Sequence, residues 1–235
     1  KSAYLWNTCA AMLNAFQTVF ILMLISRIDP VIDAGVFTIA FAIGNLMMAI
    51  GKYGIRQFQV SDVEEKYSFK EYTVARIITS IIMIAASFVY VGVNLASGLY
   101  DSSKSIVIIL ICLAKVIDAV EDVIHGMFQQ YLRLDVAGKI LSIRMCTYIF
   151  VYLVCYYFSK NLILTSAVAL LVSFIQFVIL NYTAIRGFEI KKKTFEIKNV
   201  KNIFVECFPL FIASYLVIYI GNAPNFMVKS ISDEN

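Results

Sequence analysis

Between Lys115 and Asp122 the chain sets one cation among three carboxylates (Lys115, Asp118, Glu121, Asp122), and His125, its single histidine, follows. At about 100° per residue, these five residues and Gln129 fall within one arc of roughly 120° on a helix. Carboxylates beside a cation and an imidazole can take up a proton or hold Na⁺ inside a membrane, or they can simply neutralise one another. Other chemistries are disfavoured. One histidine excludes a multi-histidine metal site, and neither His-Glu-x-x-His nor Gly-x-Ser-x-Gly occurs. No catalytic residue, metal site or bound cofactor is expected, and the chain does not read as an enzyme.

The sequence around this stretch decides what it can do. Ile106–Ala114, directly upstream, is apolar throughout. Of the 235 residues, 60% are hydrophobic and only 15% charged, with a mean hydropathy of +0.80. That is membrane composition, since a soluble domain is nearer half apolar and a quarter charged. The five cysteines (Cys9, Cys112, Cys146, Cys155, Cys207) lie in apolar segments without Cys-x-x-Cys spacing, and read as small buried hydrophobes. The first apolar stretch is too long for the core of a removable signal peptide and lacks a cleavage site. Without an initiator Met, and ending at Asn235, the sequence reads as a trimmed or partial chain.

A helix needs about 20 apolar residues to cross a bilayer. Seven segments approximate this: 3–26, 34–55, 74–96, 106–128, 140–158, 162–185 and 204–222. They are continuous runs, whereas β-barrel strands alternate over roughly 10 residues. The expected class is therefore an all-α polytopic membrane helix bundle. The basic stretch Arg186–Lys201 is the best internal boundary, dividing a six-helix unit (1–203) from a further helix (204–235). With the N-terminus inside, fifteen Lys and Arg residues fall on one side, from Lys1, Lys52 and Arg56 to Lys191, Lys192, Lys193, Lys198 and Lys201. Only Arg27, Lys104, Lys160 and Lys229 fall on the other. This bias predicts a cytoplasmic N-terminus. The net charge of +4 is then a topology signal, not a mark of nucleic-acid binding.

Polar residues recur at helical spacing inside the spans. Asn7, Asn14, Gln17 and Thr18 share a face of the first, and Thr38, Asn45, Lys52 and Arg56 align along the second. Arg76, Ser80, Ser87 and Asn94 form a stripe on the third; Arg144, Thr147 and Tyr148 cluster on the fifth, and Ser166 and Ser173 on the sixth. Interhelical hydrogen bonds would explain one or two such stripes, at about 0.6 kcal/mol per pair. Stripes on this many helices predict a shared, water-filled cavity. The fourth span sharpens the point. Each charge at the bilayer centre costs ~2.5–3.5 kcal/mol, so four cost on the order of 10. They cannot face lipid. Lys115, about 14 Å along the helix from Ile106, is near mid-depth. It can reach Asp118 at i+3, and Arg56, Arg76 or Arg144 can serve the other acids. Val116, Ile117, Val120, Val123, Ile124 and Met127 face away, toward lipid or packing.

Three stretches resemble the polysaccharide-flippase branch of the multidrug/oligosaccharidyl-lipid/polysaccharide exporter superfamily. They are DAGVFTIAFAIGNLMMAIGKYGIRQFQVSD (33–62), LAKVIDAVEDVIHGMFQQYLRLD (113–135) and PLFIASYLVIYIGNAPNFMV (209–228), the last with an Asn-Ala-Pro exit at Asn222–Pro224. The spacing of six helices before the last is similar too. The resemblance implies the N-terminal six-helix lobe of a MATE-like fold, plus the first helix of a second lobe. It implies a bacterial plasma-membrane protein that flips oligosaccharide on an undecaprenyl-pyrophosphate carrier, with membrane lipids, a polysaccharide polymerase and glycosyltransferases as partners. On that basis Lys52, Arg56, Arg76 and Arg144 would contact the anionic headgroup near the cytoplasmic mouth. Asn14 and Asn45 would line the cavity, and Arg27 would sit near the outer mouth. Lys115, Asp118, Glu121, Asp122, His125 and Gln129 would form a coupling or cavity-shaping network, with Na⁺ or H⁺ as the coupling ion. A cation-coupled drug or metabolite exporter shares the fold. A receptor, or a structural membrane protein without transport, is the alternative of another class, although a seven-helix receptor needs the opposite orientation.

Overall fold

In the computed structural model the backbone is described for residues 2–29, 31–188 and 194–233, and side chains for 4–221 within those ranges. Lys1, Lys191, Lys192, Lys193 and Lys229 of the charge tally lie outside the described side chains. Eight helices follow in order among the described residues: α1 (Ser2–Ile28), α2 (Ile32–Lys52), α3 (Ile55–Ser61), α4 (Phe69–Ala96), α5 (Ser102–Gln130), α6 (Leu134–Ser159), α7 (Leu162–Ile185) and α8 (Ile197–Asp233). Six of them (α1, α2, α4, α6, α7 and α8) are long and apolar enough to cross a membrane. The chain is an all-α polytopic membrane bundle.

Helix ends follow local chemistry more than hydropathy. Ser68 caps α4 through a reciprocal box: its hydroxyl accepts from the Glu71 N–H, and the Glu71 carboxylate accepts from the Ser68 N–H at 2.6 Å. The helix therefore starts at Phe69, ahead of the expected 74. Asp101 and Asn161 cap α5 and α7 by accepting from the N–H groups of Lys104 and Leu164. The expected span 34–55 is broken. Tyr53 and Gly54 adopt left-handed backbone (φ 47° and 69°), ending α2 and starting the short α3. A Cβ at Gly54 would meet Leu210 Cβ at 2.7 Å, so glycine both turns the chain and lets α8 approach. The last helix starts at Ile197 instead of 204 and continues to Asp233, through the expected exit at Asn222–Pro224.

The most charged helix is the central one. Sixteen of the 29 residues of α5 are buried, and it packs on α2, α3, α4, α6 and α7. Its charges keep it off the roll of apolar spans, yet at 1.5 Å per residue it is about 43 Å long, ample to cross. Ile117, Val123 and Met127, on its other face, are buried against neighbouring helices, not lipid. The lipid-ward surface is elsewhere, on Ile77, Ile81 and Val89 of α4 and Leu171, Phe174 and Ile179 of α7, all exposed. An apolar core of Ile21, Phe37, Ile43, Met83, Ile108 and Tyr152 fills the bundle. Among the cysteines, Cys112 and Cys207 are buried as expected; Cys9 and Cys146 are exposed on α1 and α6.

Up-and-down connectivity puts the end of α2, α3, the starts of α4, α6 and α8 and the ends of α5 and α7 at one end of the bundle. This is the basic end, carrying Lys52, Lys66, Lys70, Arg133, Lys139 and Arg186.

Candidate functional site

Two charge clusters are built on the inward face of α5. In the deeper one, Arg144 of α6 donates from Nη2 to Asp118 Oδ1 (2.6 Å) and from Nε to Glu121 Oε2 (2.9 Å). Its Nη1 donates to Ser173 of α7 (3.1 Å), and Asn181 of α7 donates to Glu121 Oε1 (2.8 Å). Lys115 pairs with Asp118 at 3.3 Å, as i,i+3 spacing allows, and its ammonium lies 4.3 Å from the Phe41 ring centre. One guanidinium thus ties α5 to two neighbouring helices.

The second cluster surrounds Asp122. Arg76 of α4 donates to Asp122 Oδ2 (2.9 Å), Arg56 of α3 to Oδ1 (3.4 Å), and Lys52 of α2 stands 4.0 Å from Oδ1. Arg76 also donates to the Gly51 carbonyl (2.6 Å), which Thr79 shares (2.7 Å). That carbonyl ends α2, where intrahelical donors have run out and a cation is favoured. Arg56 additionally donates to Gln129 (3.1 Å). His125 is buried with Nε2 4.0 Å from Glu121, beyond hydrogen-bond reach.

A cavity of about 230 Å³ runs along this face, lined by Asn7 and Asn14 of α1, Met48, Lys52 and Arg56. Asp118, Glu121, Asp122, His125 and Arg144 supply the rest of its polar wall. Toward the opposite end of the bundle, Phe37, Phe41, Tyr148 and Tyr152 are buried in layers beyond Lys115, and Tyr156 donates to Asp33 at 2.6 Å across α2 and α6. Lys52 and Arg56, with side chains 39% and 28% exposed, form the mouth. Arg76 and Arg144, 0% and 2% exposed, do not: the structure holds both inside the bundle, spent on carboxylates. Across both clusters five cations (Lys52, Arg56, Arg76, Lys115, Arg144) meet three carboxylates (Asp118, Glu121, Asp122), leaving two positive charges over.

The remaining expected residues divide. Arg27 is exposed at the opposite end, beside an apolar groove between α1 and α6 with Phe20, Met23 and Phe158, and does not join the clusters. Thr38, Ser87 and Asn94 bond to carbonyls of their own helices, so these members of the stripes are satisfied locally. Asn45 is half-buried on α2 and is not part of the cavity wall described above. Asn181 was missed, although it is a polar residue inside an otherwise apolar span, about 80° round α7 from Ser173. Lys52, Arg56 and Asp122 also line a second, larger cavity of about 770 Å³ against α8.

No protein-family model matches the chain, and no curated protein matches it.

Proposed function

We propose that this protein is a membrane transporter lobe that moves an anionic amphiphile across the bilayer, as a flippase of lipid-linked oligosaccharide on an undecaprenyl-pyrophosphate carrier. The observation that carries the reading is a polar cavity inside a membrane bundle with two uncompensated positive charges at its mouth. Charge inside a bilayer is costly unless it is paired or hydrated, and it commonly marks a substrate or ion path; a pyrophosphate would balance this surplus. Lys52 and Arg56 are the headgroup contacts in this reading, and Asn7 and Asn14 supply hydrogen bonds to sugar hydroxyls. In this reading the mouth faces the cytoplasm of a bacterial plasma membrane, an orientation the positive-inside bias supports. The carboxylates of α5 and His125 form the network through which Na⁺ or H⁺ coupling acts.

Deleting the gene tests the cargo. A flippase leaves lipid-linked sugar accumulating on the inner leaflet. Unchanged surface polysaccharide with altered drug tolerance assigns the protein to cation-coupled export instead. For coupling, Glu121→Gln, which leaves Asp118 to Arg144 and Lys115, is expected to lower surface polysaccharide in the full protein while it still reaches the membrane; normal polysaccharide would sink the idea.

A further inference from the structure

Gln17 is the only fully buried member of the polar stripe on α1, at 3% exposure, and its side-chain Oε1 has no hydrogen-bond partner among the described residues. A carbonyl oxygen taken out of water without a hydrogen bond is unfavourable, so a buried acceptor is met by protein or by ordered water. Gln17 lines a void of about 10 Å³ together with Lys115, Asp118, Arg144, Tyr148 and Ser173. All of these except Asp118 are buried. Helices α1, α5, α6 and α7 build the whole wall, so side chains already described close it. The volume admits a single water molecule. Asp118 and Arg144 also line the 230 Å³ cavity, which makes the void the inner end of the same polar path.

Lys115 sets the chemistry of the void. Its stem packs on Gly44 of α2, where a Cβ would come within 3.3 Å of Lys115 Cγ, so the ammonium is held in place from below. An ammonium has three N–H groups and no lone pair to offer. Asp118 takes one at 3.3 Å, and the Phe41 ring lies 4.3 Å away on another side. A metal cation in the void would stand against both Lys115 and Arg144. An anion would stand against the open oxygen of Gln17. Only a small neutral molecule that both donates and accepts suits every wall. Water does so by accepting from Lys115 and donating to Gln17 Oε1 and Asp118, and three such bonds are what a buried water typically makes.

We propose that this void is a binding site for one ordered water molecule, held by Gln17, Lys115 and Asp118, which ties α1 to the charged face of α5. The wet path then runs past Arg144 to Lys115 at the middle of α5 and stops beneath the aromatic layer of Phe41 and Tyr152. The site holds whatever the protein carries, because none of its walls is a cargo contact.

The test uses the full chain in phosphatidylcholine nanodiscs and X-ray radiolysis, which oxidises a buried side chain quickly only where water is bound beside it. Tyr148 and Tyr152 form the comparison: both are buried, and only Tyr148 lines the void. Tyr148 should be oxidised at least fivefold faster than Tyr152. Equally slow rates mean a dry void and overturn the proposal, and this comparison needs no variant. Gln17→Met keeps the side-chain length but removes the acceptor. It should bring Tyr148 down to the rate of Tyr152 and leave Met145, which also lines the larger cavity, unchanged. A Tyr148 rate that ignores Gln17→Met takes Gln17 out of the site and overturns the assignment. Exchanging sodium chloride for sodium gluconate should leave the Tyr148 rate within twofold. A several-fold rise in gluconate would mean that chloride had filled the void, with the Gln17 amide turned to donate, and would overturn the choice of water.

Discussion

The Arg144 and Asp122 clusters lie about one helical turn apart on α5, yet they are different kinds of object. Around Arg144 the charges balance: Lys115 and Arg144 against Asp118 and Glu121, with Ser173 and Asn181 closing the remaining valences. Around Asp122 they do not: Lys52, Arg56 and Arg76 share one carboxylate. The whole surplus of positive charge therefore sits at the mouth. A balanced, deeper cluster holds helices together, and an unbalanced one at the mouth has capacity for a ligand.

Substitutions can break this contrast. The largest effect is expected from Arg144→Ala, which leaves the buried Glu121 without its cation and Asp118 with Lys115 alone, and should cost about 3–5 kcal/mol. It would be read as a collapse of the thermal transition of the purified protein in detergent. Adding Glu121→Gln should restore most of that loss, because Glu121 is the orphaned charge while Asp118 keeps Lys115. Arg76→Ala should cost less, about 1–3 kcal/mol, since Lys52 and Arg56 remain beside Asp122 and Thr79 still serves the Gly51 carbonyl. Asn181→Ala removes one hydrogen bond to a charged acceptor and should cost about 1.5–3 kcal/mol, measurable as a lower midpoint with no change in the mouth. Lys52→Gln and Arg56→Gln close the series. Each should shift stability by less than about 1 kcal/mol, while surface polysaccharide falls several-fold in the full protein. Were these two to unfold the protein as Arg144→Ala does, the two clusters would be one structural unit and the distinction would fail.

Much of this bundle was legible in the sequence, for definite reasons. Hydropathy finds the stretch of a helix that sits in hydrocarbon, so the number and order of long helices followed from apolar windows. It does not find helix ends lying in water. That is why α4 and α8 began before their expected starts, at Phe69 and Ile197, although Ser68-x-x-Glu71 had the spacing of a capping box. The break at Tyr53-Gly54 looked continuous, because one glycine within a helical pattern is ambiguous until something is known to press on it. Here that is Leu210. The angular arc on α5 was readable from one helix alone, and so was the Lys115–Asp118 pair. Which arginine meets which acid was not, since partner choice depends on how neighbouring helices are rotated. For the same reason Arg76 and Arg144 looked equivalent to Lys52 and Arg56. Residue type and depth give the presence of charge; only local neutralisation gives its availability.

The direction of the links to Glu121 also bears on how the protein is made. Both of its partners, Arg144 and Asn181, lie downstream in the chain. When α5 is synthesised, Lys115 is present for Asp118, and Lys52, Arg56 and Arg76 for Asp122, but neither partner of Glu121 has yet been made. The stable threading of α5 waits on α6 and is completed by α7. The three helices are thus expected to settle into the bilayer as a group, and a chain cut between Gln130 and Arg144 would carry Glu121 with neither partner.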